Sequence, residues 1–114
     1  MLSLHQVKQY EYLADNGIET PRGFFSGPNL IQNRILYYSK FGEMSIVVQQ
    51  DKTSELIENG IKHPSFTSLT AAMLAGENIA RQKTAILHDV DPIDILHDSK
   101  WLDLGKHNVN QKPK

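Results

Sequence analysis

The spacing of apolar residues near the start of the chain predicts an amphipathic helix from about Leu4 to Asn16. Ser3 can accept hydrogen bonds from the free N–H groups of the first turn, and Gly17 can adopt the left-handed conformation that ends a helix. The face predicted to be buried comprises Leu4, Val7, Tyr10, Leu13 and Ala14.

A second and longer apolar stripe predicts the main core helix, which begins at Ser65 or Ser68 and ends at Leu87. Glu77 and Arg81 are four residues apart on this helix, so we expect them to form a surface ion pair worth a few tenths of a kcal/mol. The stripe comprises Leu69, Ala72, Met73, Gly76, Ile79, Ala80, Ile86 and Leu87.

Capping residues and helix terminators predict two further short helices. One spans about 54–59 and ends at Gly60, and the other spans about 92–98 after the capping sequence Asp91-Pro92.

The segment 34–50 has the composition of an antiparallel hairpin. Residues 35–38 are rich in β-favouring side chains, and strand alternation from 44 to 50 places Met44, Ile46 and Val48 on one side. A short strand is also expected near 22–26. An alternative in which Pro28–Phe41 forms a helix that stops at Gly42 stays open. The prediction is an α+β fold of about four helices packed on a two- or three-stranded antiparallel sheet.

Length and composition indicate one domain. The chain has 114 residues, of which 39% are hydrophobic, and this is enough for one modest core. We expect a globular domain over 1–104 and a flexible basic tail over 105–114, because the tail carries three lysines, no acid and almost nothing to bury.

Cysteine is absent, which excludes disulfides, thiolate metal sites and a cysteine nucleophile. The N-terminal residues do not resemble a secretory signal, and no apolar run is long enough to span a bilayer. We therefore expect a cytoplasmic protein with no membrane contact and no cofactor.

The His/Asp-rich segment 88–98 is the candidate for metal chemistry. On a helix, Asp94, His97 and Asp98 would share one face, and with His88 and Asp89 they could ligate a divalent cation. The favoured interpretation is structural, because Asp91 and Asp94 suit a helix N-terminus and His88 suits a helix C-terminus. Motifs for phosphate loops, nucleophile elbows and zinc proteases are absent, so nothing in the sequence calls for an enzyme.

Ala72, Gly76 and Ala80 form a ridge of small residues along the long helix. Glycine inside a helix costs about 1 kcal/mol relative to alanine, so a close approach of other atoms is expected there. Packing within the monomer is the favoured interpretation, and self-association into a homodimer is the alternative.

Aromatic and basic residues are mixed over 22–41, and no acid occurs between Glu19 and Glu43. This mixture predicts a surface that binds a protein partner, so the chain is expected to be a small binding, regulatory or accessory module. Nucleic-acid binding through Arg22, Arg34, Lys40 and the basic tail is the alternative, and a metal-dependent enzyme is the third. The predicted partner-binding residues are Phe24, Phe25, Arg34, Tyr37, Tyr38 and Phe41.

Overall fold

The computed structural model describes residues 1–39 and 44–87, with the side chains of the last helix described as far as Lys83. Two helices and five strands follow one another in this part of the chain. They are α1 (Leu4–Asp15), β1 (Phe25–Ile31), β2 (Arg34–Ser39), β3 (Met44–Val48), β4 (Ser54–Glu58), β5 (Ile61–Lys62) and α2 (Leu69–Leu87).

The strands form one antiparallel sheet in the order β1-β2-β3-β4-β5, so each strand pairs with its neighbours in sequence. The α+β class is confirmed. The prediction of about four helices on a two- or three-stranded sheet is wrong, because the described chain has two helices and a five-stranded sheet. The predicted helix at 92–98 and the tail at 105–114 lie outside the described residues.

The segment 54–59 was expected to be a short helix and is instead strand β4. Its residues pair with β3 in register, with Leu56 opposite Ile46 and Ser54 opposite Val48. Leu56 is fully buried under α2. A helix of six residues would leave most of its backbone N–H and C=O groups without intrahelical partners, whereas the strand bonds them to β3. Tertiary pairing therefore overrides the helix-favouring residues of this segment.

The hairpin predicted over 34–50 is present as β2 and β3, with Tyr37 opposite Ile46. The alternative helix over 28–41 is wrong, because β1 and β2 run antiparallel through this segment. Gln32 and Asn33 form the two-residue turn between them, both with positive φ, as tight hairpin turns of this length require. The strand expected near 22–26 begins later, at Phe25, and continues to Ile31.

Both ends of α1 follow the sequence prediction. Ser3 and Gln6 form a capping box, in which each side chain accepts a hydrogen bond from the other residue's backbone N–H. At the other end, Gly17 has a φ of 64°, and the N–H of Ile18 donates to the carbonyl of Leu13. These bonds satisfy carbonyls that the end of the helix would otherwise leave unpaired.

The core lies between the sheet and the helices. α2 packs over β3 and β4, and α1 packs against α2. Neither α1 nor α2 combines the length and the apolar character that crossing a membrane would require. The largest fully buried apolar side chains are Phe24, Ile46, Leu56 and Phe66.

The hydroxyl group of Ser54 is fully buried, and no hydrogen-bond partner is found for it. Burying such a group without a partner costs free energy, so we expect Ser54→Ala to stabilise the protein by about 1 kcal/mol. Urea denaturation of the purified variant would measure this change. Ser45→Ala on β3 is a suitable control, since Ser45 is only half-buried, and a clear loss of stability in Ser54→Ala would contradict the expectation.

Candidate functional site

Most residues of the hairpin formed by β1 and β2 are exposed. β1 is an edge strand, and six of its seven residues are exposed. Its pairing with β2 is interrupted between Ser26 and Asn29, where the register shifts and Pro28 has no backbone N–H to donate. Bulges and prolines of this kind protect an edge strand from pairing with other chains. Any contact with another molecule at this hairpin is therefore expected to use its exposed side chains and not its backbone edge.

Aliphatic side chains are concentrated at the end of this hairpin, which we call the hairpin tip (residues 29–35). Leu30 and Ile35 face each other across the strand pair and are 74% and 42% exposed, and Ile31 is 45% exposed. With Tyr38, these residues make up four of the nine large hydrophobic side chains that are exposed in the described chain. None of them belongs to the hydrophobic core.

A recess of about 460 Å³ adjoins the hairpin tip. The turn residues Gln32–Arg34 line one side of it, and Gln49–Asp51, from the turn after β3, line the other. Amide side chains supply both donors and acceptors, so this recess can hydrogen-bond to polar groups that approach beside the aliphatic residues.

The aromatic residues predicted to bind a partner divide into two groups. Phe24 is 1% exposed and Phe25 is buried beneath α2, with the two rings in edge-to-face contact, so both contribute to the core. Tyr37 is half-buried against the core, whereas Tyr38 and Arg34 are exposed. Phe41 lies outside the described residues.

The small-residue ridge on α2 packs inside the monomer. Ala72, Gly76 and Ala80 are all buried, and a Cβ atom added to Gly76 would lie 2.5 Å from the Phe25 ring and 3.3 Å from Leu56. Gly76 therefore lets α2 approach the start of β1 closely, which is the favoured interpretation from the sequence.

The carboxylate of Glu77 fastens the segment before β1 to α2. Its two oxygens accept from the backbone N–H of Arg22 at 2.9 and 2.8 Å, and one of them also accepts from the N–H of Phe24 at 3.2 Å. Glu77 is 3% exposed and Arg81 is 5% exposed, so the expectation of a surface ion pair between them is wrong. Both side chains are buried where the segment before β1 folds across this part of α2.

The buried hydrogen bonds of Glu77 lie among groups whose pKa values are shifted. Burial raises the pKa of Glu77, although the N–H groups of Arg22 and Phe24 and the charge of Arg81 act in the opposite direction. Burial also lowers the pKa of Arg81 and raises that of Tyr10. Sequence spacing alone could place Glu77 next to Arg81, but no local signal showed that a distant loop would cover them.

The metal-ligand candidates His88, Asp89, Asp94, His97 and Asp98 lie outside the described residues. Within 1–39 and 44–87, no group of three or more histidine and carboxylate side chains is arranged to hold a metal ion.

Comparison of the chain with protein-family models, with curated proteins and with solved structures returned no match.

Proposed function

We propose that this protein is a small binding module that docks a protein partner through its hairpin tip. The observation that carries the proposal is the cross-strand pair Leu30 and Ile35, which are 74% and 42% exposed at the end of a tightly turned hairpin, with Ile31 exposed on the opposite face of the same strand. Clustered aliphatic side chains on a surface favour protein contact, because their burial in a complex releases hydration water. A two-residue turn also holds them in place before binding, which reduces the entropy lost on docking.

The expected partner surface is apolar with a negatively charged margin. Arg34 is exposed and lies opposite Ile31 across the hairpin, at the margin of the Leu30 and Ile35 pair, and the chain has no acid between Glu19 and Glu43. A partner that offers an apolar recess can bury Leu30 and Ile35, and a carboxylate at its rim can pair with the guanidinium of Arg34.

Protein binding is favoured over nucleic-acid binding by the position of the aromatic rings. Phe24 and Phe25 cannot stack on bases because both rings lie in the core, so Tyr38 is the exposed ring in the part of this hairpin that the structure describes. The large apolar side chains exposed at the hairpin tip are aliphatic, and these offer no flat π-face to a base.

Site-specific photo-crosslinking tests the proposal. A photoreactive amino acid at position 30 is expected to capture one specific protein in cells of the native host. The same amino acid at position 61 is the matched control, because Ile61 is 55% exposed on β5 at the opposite edge of the sheet. If positions 30 and 61 crosslink to the same proteins, the proposal is wrong.

Substitutions at the hairpin tip test whether partner binding can be lost while the protein stays folded. The double variant Leu30→Asp and Ile35→Asp is expected to weaken affinity for the captured protein by at least about a hundredfold, since two apolar contacts are replaced by charges. Ile61→Asp is expected to leave the affinity unchanged. Isothermal titration calorimetry measures both, and circular dichroism checks that the variants remain folded.

A further inference from the structure

His63 is a buried histidine that connects three parts of the fold. It follows β5, and its backbone N–H donates to the carbonyl of Leu56 on β4 at 2.9 Å. Its side chain is 3% exposed. The imidazole Nδ1 lies 3.0 Å from the backbone nitrogen of Leu2, and Nε2 lies 3.3 Å from the carboxylate of Glu58.

These two contacts fix the protonation state of the ring. The backbone nitrogen of Leu2 can only donate, so Nδ1 must carry a lone pair and accept from it. Nε2 then carries the single proton of the neutral ring and donates it to Glu58. In this form His63 links the residues that precede α1 to the sheet.

Charged groups approach His63 from each element packed against it. Glu58 on β4 holds a negative charge beside Nε2, and Lys83 on α2 pairs with the same carboxylate. Burial acts to raise the pKa of Glu58, but the hydrogen bonds and charges of Lys83 and His63 outweigh it and lower that pKa.

We propose that His63 holds the segment before α1 (residues 1–3) to the sheet only while its Nδ1 is unprotonated. A proton taken up from solvent binds to Nδ1 and converts the acceptor of the Leu2 N–H into a donor. Two N–H groups then face each other, so this hydrogen bond is lost and residues 1 and 2 detach from the sheet, while Ser3 stays bonded to Gln6 as the N-cap of α1. The imidazolium remains in place, because its Nε2–H still donates to the ionised carboxylate of Glu58.

As the pH falls, the protein therefore exposes additional surface without unfolding globally. Detachment uncovers the His63 side of β5 and removes one anchor of the first turn of α1. Val7 still holds α1 to the core, because it is buried in the cluster that includes Phe66 and Ala80.

Nuclear magnetic resonance of the whole chain tests the proposal. As the pH falls from about 8 to about 5, we expect the protection of the Leu2 amide against hydrogen exchange to fall about tenfold, after correction for the intrinsic pH dependence of exchange. The Nδ1 resonance of His63 is expected to report protonation over the same pH range. Protonation of His63 with no change at Leu2 would overturn the proposal.

Three variants test whether the loss of Leu2 protection at low pH comes from protonation of His63. His63→Asn places an amide oxygen near the position of Nδ1, so Leu2 is expected to stay protected at every pH. His5→Asn is the matched control on the exposed face of α1, and it is expected to keep the transition. Glu58→Gln is expected to make the loss of Leu2 protection occur at lower pH, because it removes the anion that stabilises the imidazolium. If His63→Asn fails to fold, an unchanged pH dependence of Leu2 protection in Glu58→Gln still rejects the proposal.

Discussion

Replacing Glu77 with leucine is expected to destabilise the protein by about 3–5 kcal/mol, the cost of removing the polar partner from buried donors and a buried charge. Leucine has a similar size but no acceptor, so the backbone N–H groups of Arg22 and Phe24 would lose the carboxylate that binds them. The buried guanidinium of Arg81 would also lose a neighbouring anion. The free energy of unfolding in urea measures the effect.

Two further variants test whether the loss of stability comes from the hydrogen bonds that the Glu77 carboxylate accepts. Glu77→Gln keeps one acceptor oxygen, so it is expected to cost about half as much as Glu77→Leu. Gln82→Leu introduces leucine at an exposed position of the same helix and is expected to change stability by less than about 0.5 kcal/mol. A loss below about 1 kcal/mol in Glu77→Leu would show that residues 18–24 are held mainly by other contacts.

Gly76→Leu is expected to destabilise the protein by about 3 kcal/mol, the upper range for overpacking a core. The first added carbon atom would already lie 2.5 and 2.7 Å from two carbons of the Phe25 ring. The remaining leucine atoms would push α2 away from the start of β1. Gly76→Ala is expected to cost less, because the better helix propensity of alanine offsets about 1 kcal/mol of the clash.

A double-mutant cycle tests the physical reason for the Gly76 effect. Shortening the opposing ring with Phe25→Leu makes room for the added methyl group of Gly76→Ala. The double variant is therefore expected to be more stable than the sum of the two single changes predicts, by about 1 kcal/mol. Additive losses would show that the clash with Phe25 is not the cause. Thermal unfolding followed by circular dichroism gives all four values.

The elements that the sequence predicted correctly are those with local signals. Ser3 and Gly17 mark the ends of α1 through hydrogen bonds within a few residues of each, and the apolar stripe of α2 repeats over five turns. The β2–β3 hairpin also has a local signal, because its strands are close in sequence and rich in β-favouring residues.

The features that sequence analysis missed depend on contacts between distant residues. Ser54–Glu58 contains residues that suit a helix, and only its pairing with β3 makes it a strand. The strand expected near 22–26 instead runs from Phe25 to Ile31, because a bulge lets an edge strand accommodate Gly27 and Pro28. Glu77 was expected on the surface because the loop that covers it lies 53 to 55 residues away in sequence.

The position of the hairpin tip outside the core has a consequence for how this protein can diversify. Leu30, Ile31 and Ile35 make no contribution to the hydrophobic cluster that holds the fold, while the root of the same hairpin is fixed by Phe24, Phe25 and Glu77. Under the proposed binding function, substitutions at the tip would change which partner is recognised at little cost in folding free energy. Selection on recognition and selection on stability would then act on separate residues of one hairpin, so new specificities would arise without compensating changes elsewhere in the chain.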